Sequence, residues 1–220
     1  MKHIVVDLEM NNISNKYKDF DCTMETIEIG AIMLDENYQE IASFRTYVKP
    51  EYNNRIRPLI SRLTGITYDM VINAPKFDEA MKMFSNWCLG VNDDIKIYAW
   101  SENDYKQISK EISLKKYEIS LDEERVYLTE WHDFQAEFDK ELGFEKQLSL
   151  KMALDMAGVD FLGREHSALD DARNTAKLFN IFNDREMFDC TLKKIAEAMK
   201  PTDFGTSLGS MFDLSGFAVA

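Results

Sequence analysis

The sequence predicts an α/β domain built on a mixed five-stranded sheet with helices on its faces. Three strand-like stretches follow one another near the start, and helix-period segments then alternate with short branched runs. The chain has 220 residues and is 45% hydrophobic, which suits one domain large enough to bury its own core.

Residues 3–9 read as the first strand, and the polar stretch from Asn11 to Asp21 as a loop. Thr26 to Leu34 (TIEIGAIML) and Ile41 to Val48 (IASFRTYV) are two further strands, joined by the turn residues Asp35-Glu36-Asn37 into a hairpin. Pro58 to Gly65 is a short helix with Pro in its first turn and Gly at its end. Phe77, Ala80, Met81, Phe84, Trp87 and Cys88 recur at helical spacing. Asp94 to Trp100 (DIKIYAW) reads as the fourth strand, and Ser101 can cap a helix from Glu102 to Ile112. Arg125 to Thr129 (RVYLT) is the expected fifth strand. Helices follow at 131–142, at 149–157 capped by Ser149, from Ser167 through Phe182, and at 187–199. For the third of these, Ser167 and Asp170 form a start like a capping box. The expected domain spans 1–200. The Gly-, Ser- and Phe-containing stretch 201–220 reads as a tail, either a frayed end or a docking peptide for a protein partner.

The net charge of -13 argues against a loose grip on nucleic acid unless a site supplies its own cations. Three scattered cysteines, Cys22, Cys88 and Cys190, form no CxxC pair and suit a reducing, cytoplasmic setting. The sequence shows neither a signal-type start nor a membrane-length apolar run.

The first strand carries two acids, Asp7 and Glu9, in otherwise apolar surroundings. Side chains alternate along a strand, so both point to one face. Adjacent buried carboxylates repel, and a hard divalent cation such as Mg²⁺ or Mn²⁺ relieves them. Asp122/Glu124, Asp139/Glu141 and Asp184/Glu186 repeat the Asp-x-Glu spacing in polar or helical surroundings and read as solvated faces. Asp104 falls in the first turn of a helix just past a strand end, as a further ligand or as a dipole-complementing acid. In Arg164-Glu165-His166-Ser167-Ala168-Leu169-Asp170-Asp171, a histidine precedes a helix and an aspartate follows five positions later. His166 can take a proton near neutral pH, and Asp171 could complete a carboxylate cluster.

In their order, these stretches resemble the DEDDh (DnaQ-like) exonuclease superfamily, with its ribonuclease H-like fold. The wording VVDLEM, IEIGAIML, FRTYVKP, LTGIT, AWSENDYKQI and EHSALDDARNTAKLF resembles its ERI-like and KapD-like branch over roughly residues 2–183. The resemblance implies that Asp7, Glu9, Asp104 and Asp171 bind two divalent cations, Mg²⁺ or Mn²⁺, and that His166 is the general base. It implies 3′–5′ hydrolysis of single-stranded RNA or DNA from its 3′ end with release of nucleoside 5′-monophosphates. Met10 stands where many relatives have Thr, and Thr64 where proofreading members often show His, which favours RNA or short oligonucleotides. Met10, Leu63 and Thr64 are candidates for contacting the terminal nucleotide. Arg55, Arg57, Arg62, Lys151 and Arg164 could add local positive charge or be plain solvated surface. The competing expectations are a proofreading DNA exonuclease acting with a polymerase, an oligoribonuclease-like role on very short RNAs, and an inactive nucleic-acid-binding module.

Overall fold

The computed structural model describes residues 1–17, 21–91 and 93–199. Its sheet has five strands: β1 (Lys2–Asn12), β2 (Met24–Leu34), β3 (Glu40–Tyr47), β4 (Ile95–Ala99) and β5 (His132–Asp133). Their order is β3-β2-β1-β4-β5. β1 pairs antiparallel with β2 and parallel with β4, so the sheet is mixed, as expected. The β2–β3 hairpin closes where the turn residues predict. The Asp35 carboxylate accepts the backbone N–H groups of Asn37 (2.8 Å) and Gln39 (2.9 Å).

Alternation along β1 splits two cores. Ile4, Val6 and Leu8 pack with Phe77, Phe84 and Ile108 of helices α3 (Phe77–Leu89) and α4 (Glu102–Lys115). Val5, on the opposite face, joins Ile32, Leu34 and Tyr98 against Phe134, Leu154 and Phe179. These come from α6 (Phe134–Leu142), α7 (Leu150–Ala157) and α8 (Ala168–Asn183). Asp7 and Glu9 continue the row that Val5 begins, so one strand face runs from apolar to acidic towards the C-terminal end of β1.

Several elements differ from the sequence expectation. Arg125 to Thr129 is not a strand: α5 (Glu124–Tyr127) takes its place. The buried Glu123 organises it by accepting from the Ser120 N–H (2.9 Å), the Ser85 hydroxyl (2.9 Å) and the Tyr117 hydroxyl (2.6 Å). Tertiary hydrogen bonding thus overrides the strand preference of Val126 and Tyr127. The fifth strand is instead the two-residue β5, paired with Tyr98 and Ala99. β1 extends to Asn12, into the expected loop, and a 3-10 turn follows at Asn15–Tyr17. A one-turn helix, α2 (Tyr68–Val71), lies past α1 (Pro58–Thr64) and was not expected. The segment 187–199 is two helices, α9 (Arg185–Cys190) and α10 (Leu192–Met199), broken at Thr191. Asp139 is buried rather than solvated, and its carboxylate accepts from the Leu148 N–H at 3.3 Å. The stretch 201–220, with its candidate docking peptide, lies outside the described residues.

Candidate active site

The acids of β1 are placed by the strand itself. Asp7 lies opposite Gly30 of β2, and Glu9 opposite Glu28, with the register slipping between Glu9 and Met10. The extra residue at that irregularity is Ile27 of β2, which the pairing skips. Asp104 arrives from the first turn of α4, whose N-terminus is capped by the Ser101 hydroxyl. It is buried, and its Oδ1 accepts the N–H of Leu8 at 3.1 Å. The carboxylate is therefore fastened to the residue between Asp7 and Glu9.

Asp171 comes from α8, and its position depends on how closely that helix approaches the sheet. A Cβ on Gly30 would stand 2.2 Å from the backbone carbon of Ala168, so only glycine lets the first turn of α8 lie flat on β2. The fully buried Glu28 accepts the Ala168 N–H at 3.3 Å and pairs with Arg45 of β3 at 2.5 Å. Residue types at three adjoining positions thus bring Asp171 to the β1 acids. The Ser167 hydroxyl does not cap α8, contrary to the capping-box expectation. Asp170 turns back to accept the Arg164 N–H at 3.0 Å, and Asp171 Oδ2 accepts the His166 N–H at 3.0 Å.

Ligand atoms of Glu9, His166 and Asp171 all lie within 4.8 Å of one another. His166 is exposed and holds a left-handed backbone (φ 63°), which turns it out of line with the helix that follows. Asp7 and Asp104 stand outside that tightest set and are joined to it by mutual repulsion. Burial first, then Asp104, Asp171, Glu9 and Glu28, push the Asp7 carboxyl well above the usual range. Burial and the charges of Asp171, Glu28 and Asp104 raise Glu9 to about 8, with Arg164 opposing. Burial raises Asp104 to about 7 against the pull of the Leu8 N–H, with Asp171 adding to the rise. Asp171 also reaches about 7, through burial and the charges of Asp170, Glu165 and Glu28, against its hydrogen bond from His166. Crowded carboxylates of this kind hold protons near neutrality unless a cation takes their place.

The sequence candidates for nucleotide contact fall in different settings. Leu63 is 42% exposed near the end of α1, and Met10 is half-buried against the α3/α4 core. Thr64 is buried; its hydroxyl donates to the Ile60 carbonyl (2.9 Å) and accepts from the Ile66 N–H (3.0 Å). Glu28, Gly30 and Arg45, which set the approach of α8 to the sheet, are not among the residues the sequence singles out. The signal for Glu28 was present in TIEIGAIML, where a lone acid interrupts an apolar strand just as Asp7 interrupts the first.

A family model described as Exonuclease (RNase_T) matches residues 4–179. The chain belongs to this exonuclease family. Among curated relatives, it is 25% identical over 196 residues to "3'-5' exoribonuclease 1" of Homo sapiens, a match covering 78% of this chain and 54% of that protein. It is 31% identical over 186 residues to a "DNA polymerase III PolC-type" of Thermotoga petrophila, covering 81% of this chain and 12% of that one. The chain thus spans about half the length of the human relative. Among solved structures, the nuclease domain of 3'hExo, a DEDDh family member bound to rAMP, superimposes with a TM-score of 0.71 at 22% identity. That match covers 82% of this chain and 90% of that one, and it supports the mixed, ribonuclease H-like sheet.

Proposed function

We propose that residues 1–200 form a metal-dependent 3′–5′ exonuclease that hydrolyses phosphodiester bonds from the 3′ end of RNA or short oligonucleotides and releases nucleoside 5′-monophosphates. The observation that carries this reading is the meeting of Glu9, Asp171 and His166 within 4.8 Å, beside two further acids from β1 and α4.

The donor set fits hard divalent cations. It offers carboxylate oxygens that repel one another and hold protons at about 7 to 8 in the metal-free protein. Asp7, Glu9, Asp104 and Asp171 would hold Mg²⁺ or Mn²⁺. Bound there, such ions supply Lewis-acid polarisation of the phosphate and a more acidic water. His166 accepts the proton of the attacking water, a step worth typically ~10²–10⁴-fold. The new P–O bond forms as the bond from phosphorus to the leaving 3′-oxygen breaks. The Asp171 carboxylate orients the His166 turn by accepting its backbone N–H. Leu63 and Met10 offer apolar surface to the terminal base. Neutralisation of the acids lets a chain of net charge -13 accept a polyanion, with few phosphate contacts and a shallow salt dependence.

The human exoribonuclease relative favours RNA, whereas the PolC-type relative, at higher identity over a similar span, favours a proofreading-type DNA exonuclease. Digestion of 3′-labelled and 5′-labelled RNA and DNA with Mn²⁺, with products sized, tests both. Mononucleotides released first from 3′-labelled RNA are expected. Equal rates on DNA and RNA would favour the second reading. No product from any substrate, with tight metal-independent RNA binding, would replace both with a binding module.

A further inference from the structure

We propose that Arg164 is a positioning residue that fastens the turn carrying His166 to the end of α1, so that the imidazole and the exposed Leu63 are held as one unit. This rests on the reading of His166 as the base and of Leu63 as a nucleotide contact.

The side chain of Arg164 crosses about a hundred residues of sequence to reach α1. One of its terminal nitrogens donates to the carbonyls of both Arg62 (3.2 Å) and Leu63 (3.1 Å). Carbonyls in the last turn of a helix lack intrahelical partners, and a cation there is doubly favoured. The planar guanidinium also lies against Gly65. A Cβ on that glycine would stand 1.7 Å from one guanidinium nitrogen and 2.6 Å from its central carbon. Gly65 therefore has two reasons to be glycine: it ends α1 in the left-handed region at φ 73°, and it leaves the space that Arg164 fills. A merely solvated arginine would need neither feature.

The other end of the link is equally fixed. The backbone N–H of Arg164 donates to Asp170, and Gly163 (φ 84°) has no room for a Cβ, which would stand 2.4 Å from the Asp170 carboxyl carbon. Two residues on, the His166 N–H donates to Asp171. The short turn is thus tied by its backbone to the first turn of α8 and by one side chain to α1. Lysine could supply the charge, but its single ammonium does not offer the flat fork that fits above a bare α-carbon.

Steady-state digestion by Arg164→Ala, Arg164→Lys, His166→Ala and the double variant Arg164→Ala/His166→Ala tests this, together with calorimetric titration of adenosine 5′-monophosphate. Arg164→Ala is expected to lower kcat roughly 10- to 100-fold, the scale of a misplaced catalytic group. It should also raise KM, and Arg164→Lys should follow it. On the His166→Ala background, the same change should leave kcat within about twofold, since residues acting through one another are non-additive. The weakening of nucleotide binding should persist on both backgrounds. Additive losses in kcat, wild-type kcat in Arg164→Lys, or a rise in KM alone would each overturn the proposal. Wild-type kcat in His166→Ala would sink the assignment of the base itself, and that outcome is read in the single variant before any cycle is drawn.

Discussion

Among the described residues, two groups of buried acids lie along this sheet, and their charge is handled in opposite ways. Beside the N-terminal end of β2, Glu25 and Glu111 are fully buried, and the side chain of Lys115 beside them is only 6% exposed. The Lys115 ammonium stands 2.8 Å from Glu111 and 3.3 Å from Glu25. Glu111 also accepts from the Thr26 N–H (2.9 Å), the Thr26 hydroxyl (2.8 Å) and Gln107 (3.0 Å), and Glu25 from the N–H groups of Glu51 (2.6 Å) and Tyr52 (2.9 Å). Towards the C-terminal end of β1, burial and the charges of Asp104 and Asp171 raise Asp7 and Glu9, burial and Asp171 raise Asp104, and the exposed Arg164 opposes the rise at Glu9. The first group is a closed structural network. The second is a charge excess held in place by backbone donors and a fixed register. Burial alone therefore does not mark a site; burial without an internal counter-charge does.

Lys115→Ala leaves two buried carboxylates without their cation and is expected to cost about 3–5 kcal/mol of stability. Denaturant unfolding measures it, and kcat of the protein that remains folded should stay near wild type. Asp7→Asn should do the reverse. It lowers the repulsion, so the metal-free melting temperature rises, while turnover falls by more than about 100-fold. Undiminished digestion by Asp7→Asn would end the metal assignment. Gly30→Ala tests the docking of α8 on β2. The added methyl meets the Ala168 backbone, so about 1–3 kcal/mol of strain is expected, together with lost activity from a displaced Asp171. Wild-type Mn²⁺ affinity in that variant, by calorimetry, would show that the approach of α8 does not set the site.

How much of this the sequence revealed follows from the same contrast. Asp7 and Glu9 were legible because an acid pair in an apolar strand is anomalous on its own. Asp171 and His166 were legible through their spacing at a helix start. Glu28 gave the same signal in the next strand, but its meaning depends on a β1–β2 register that sets it against Glu9. Arg164 looked like surface, since nothing local says that α1, a hundred positions earlier, ends beneath it. The fifth strand was misassigned because β5 is two residues long, too short for any period, whereas Val126 and Tyr127 imitate a strand inside a helical turn. Helix starts with a side-chain cap, at Ser101 and Ser149, fell where expected. At α8 the polar residues form a turn of their own, and the capping box does not form.

The smallest predicted effect is the pH dependence of the metal-free fold. Glu9 titrates at about 8, and Asp104 and Asp171 at about 7, all above ordinary carboxylate values, with Asp7 raised as well. Between the unfolded-state values near ~4 and these raised ones, the native state binds more protons than the unfolded chain. The stability these groups contribute is complete at acid pH and is lost as pH climbs towards about 8. Burial raises Glu25 in the same direction, but its donors and Lys115 oppose the rise. The melting temperature in EDTA should therefore fall between roughly pH 5 and 8. Mn²⁺ competes with those same protons, so its stabilisation should grow across that window; a ligand at ~100 times its dissociation constant adds about 2.7 kcal/mol. Melting curves in EDTA and in Mn²⁺ at several pH values decide the matter. A gap that stays constant with pH, or a metal-free melting temperature that rises, would mean that the four acids do not repel one another in the folded protein. Asp171→Asn should flatten the EDTA profile.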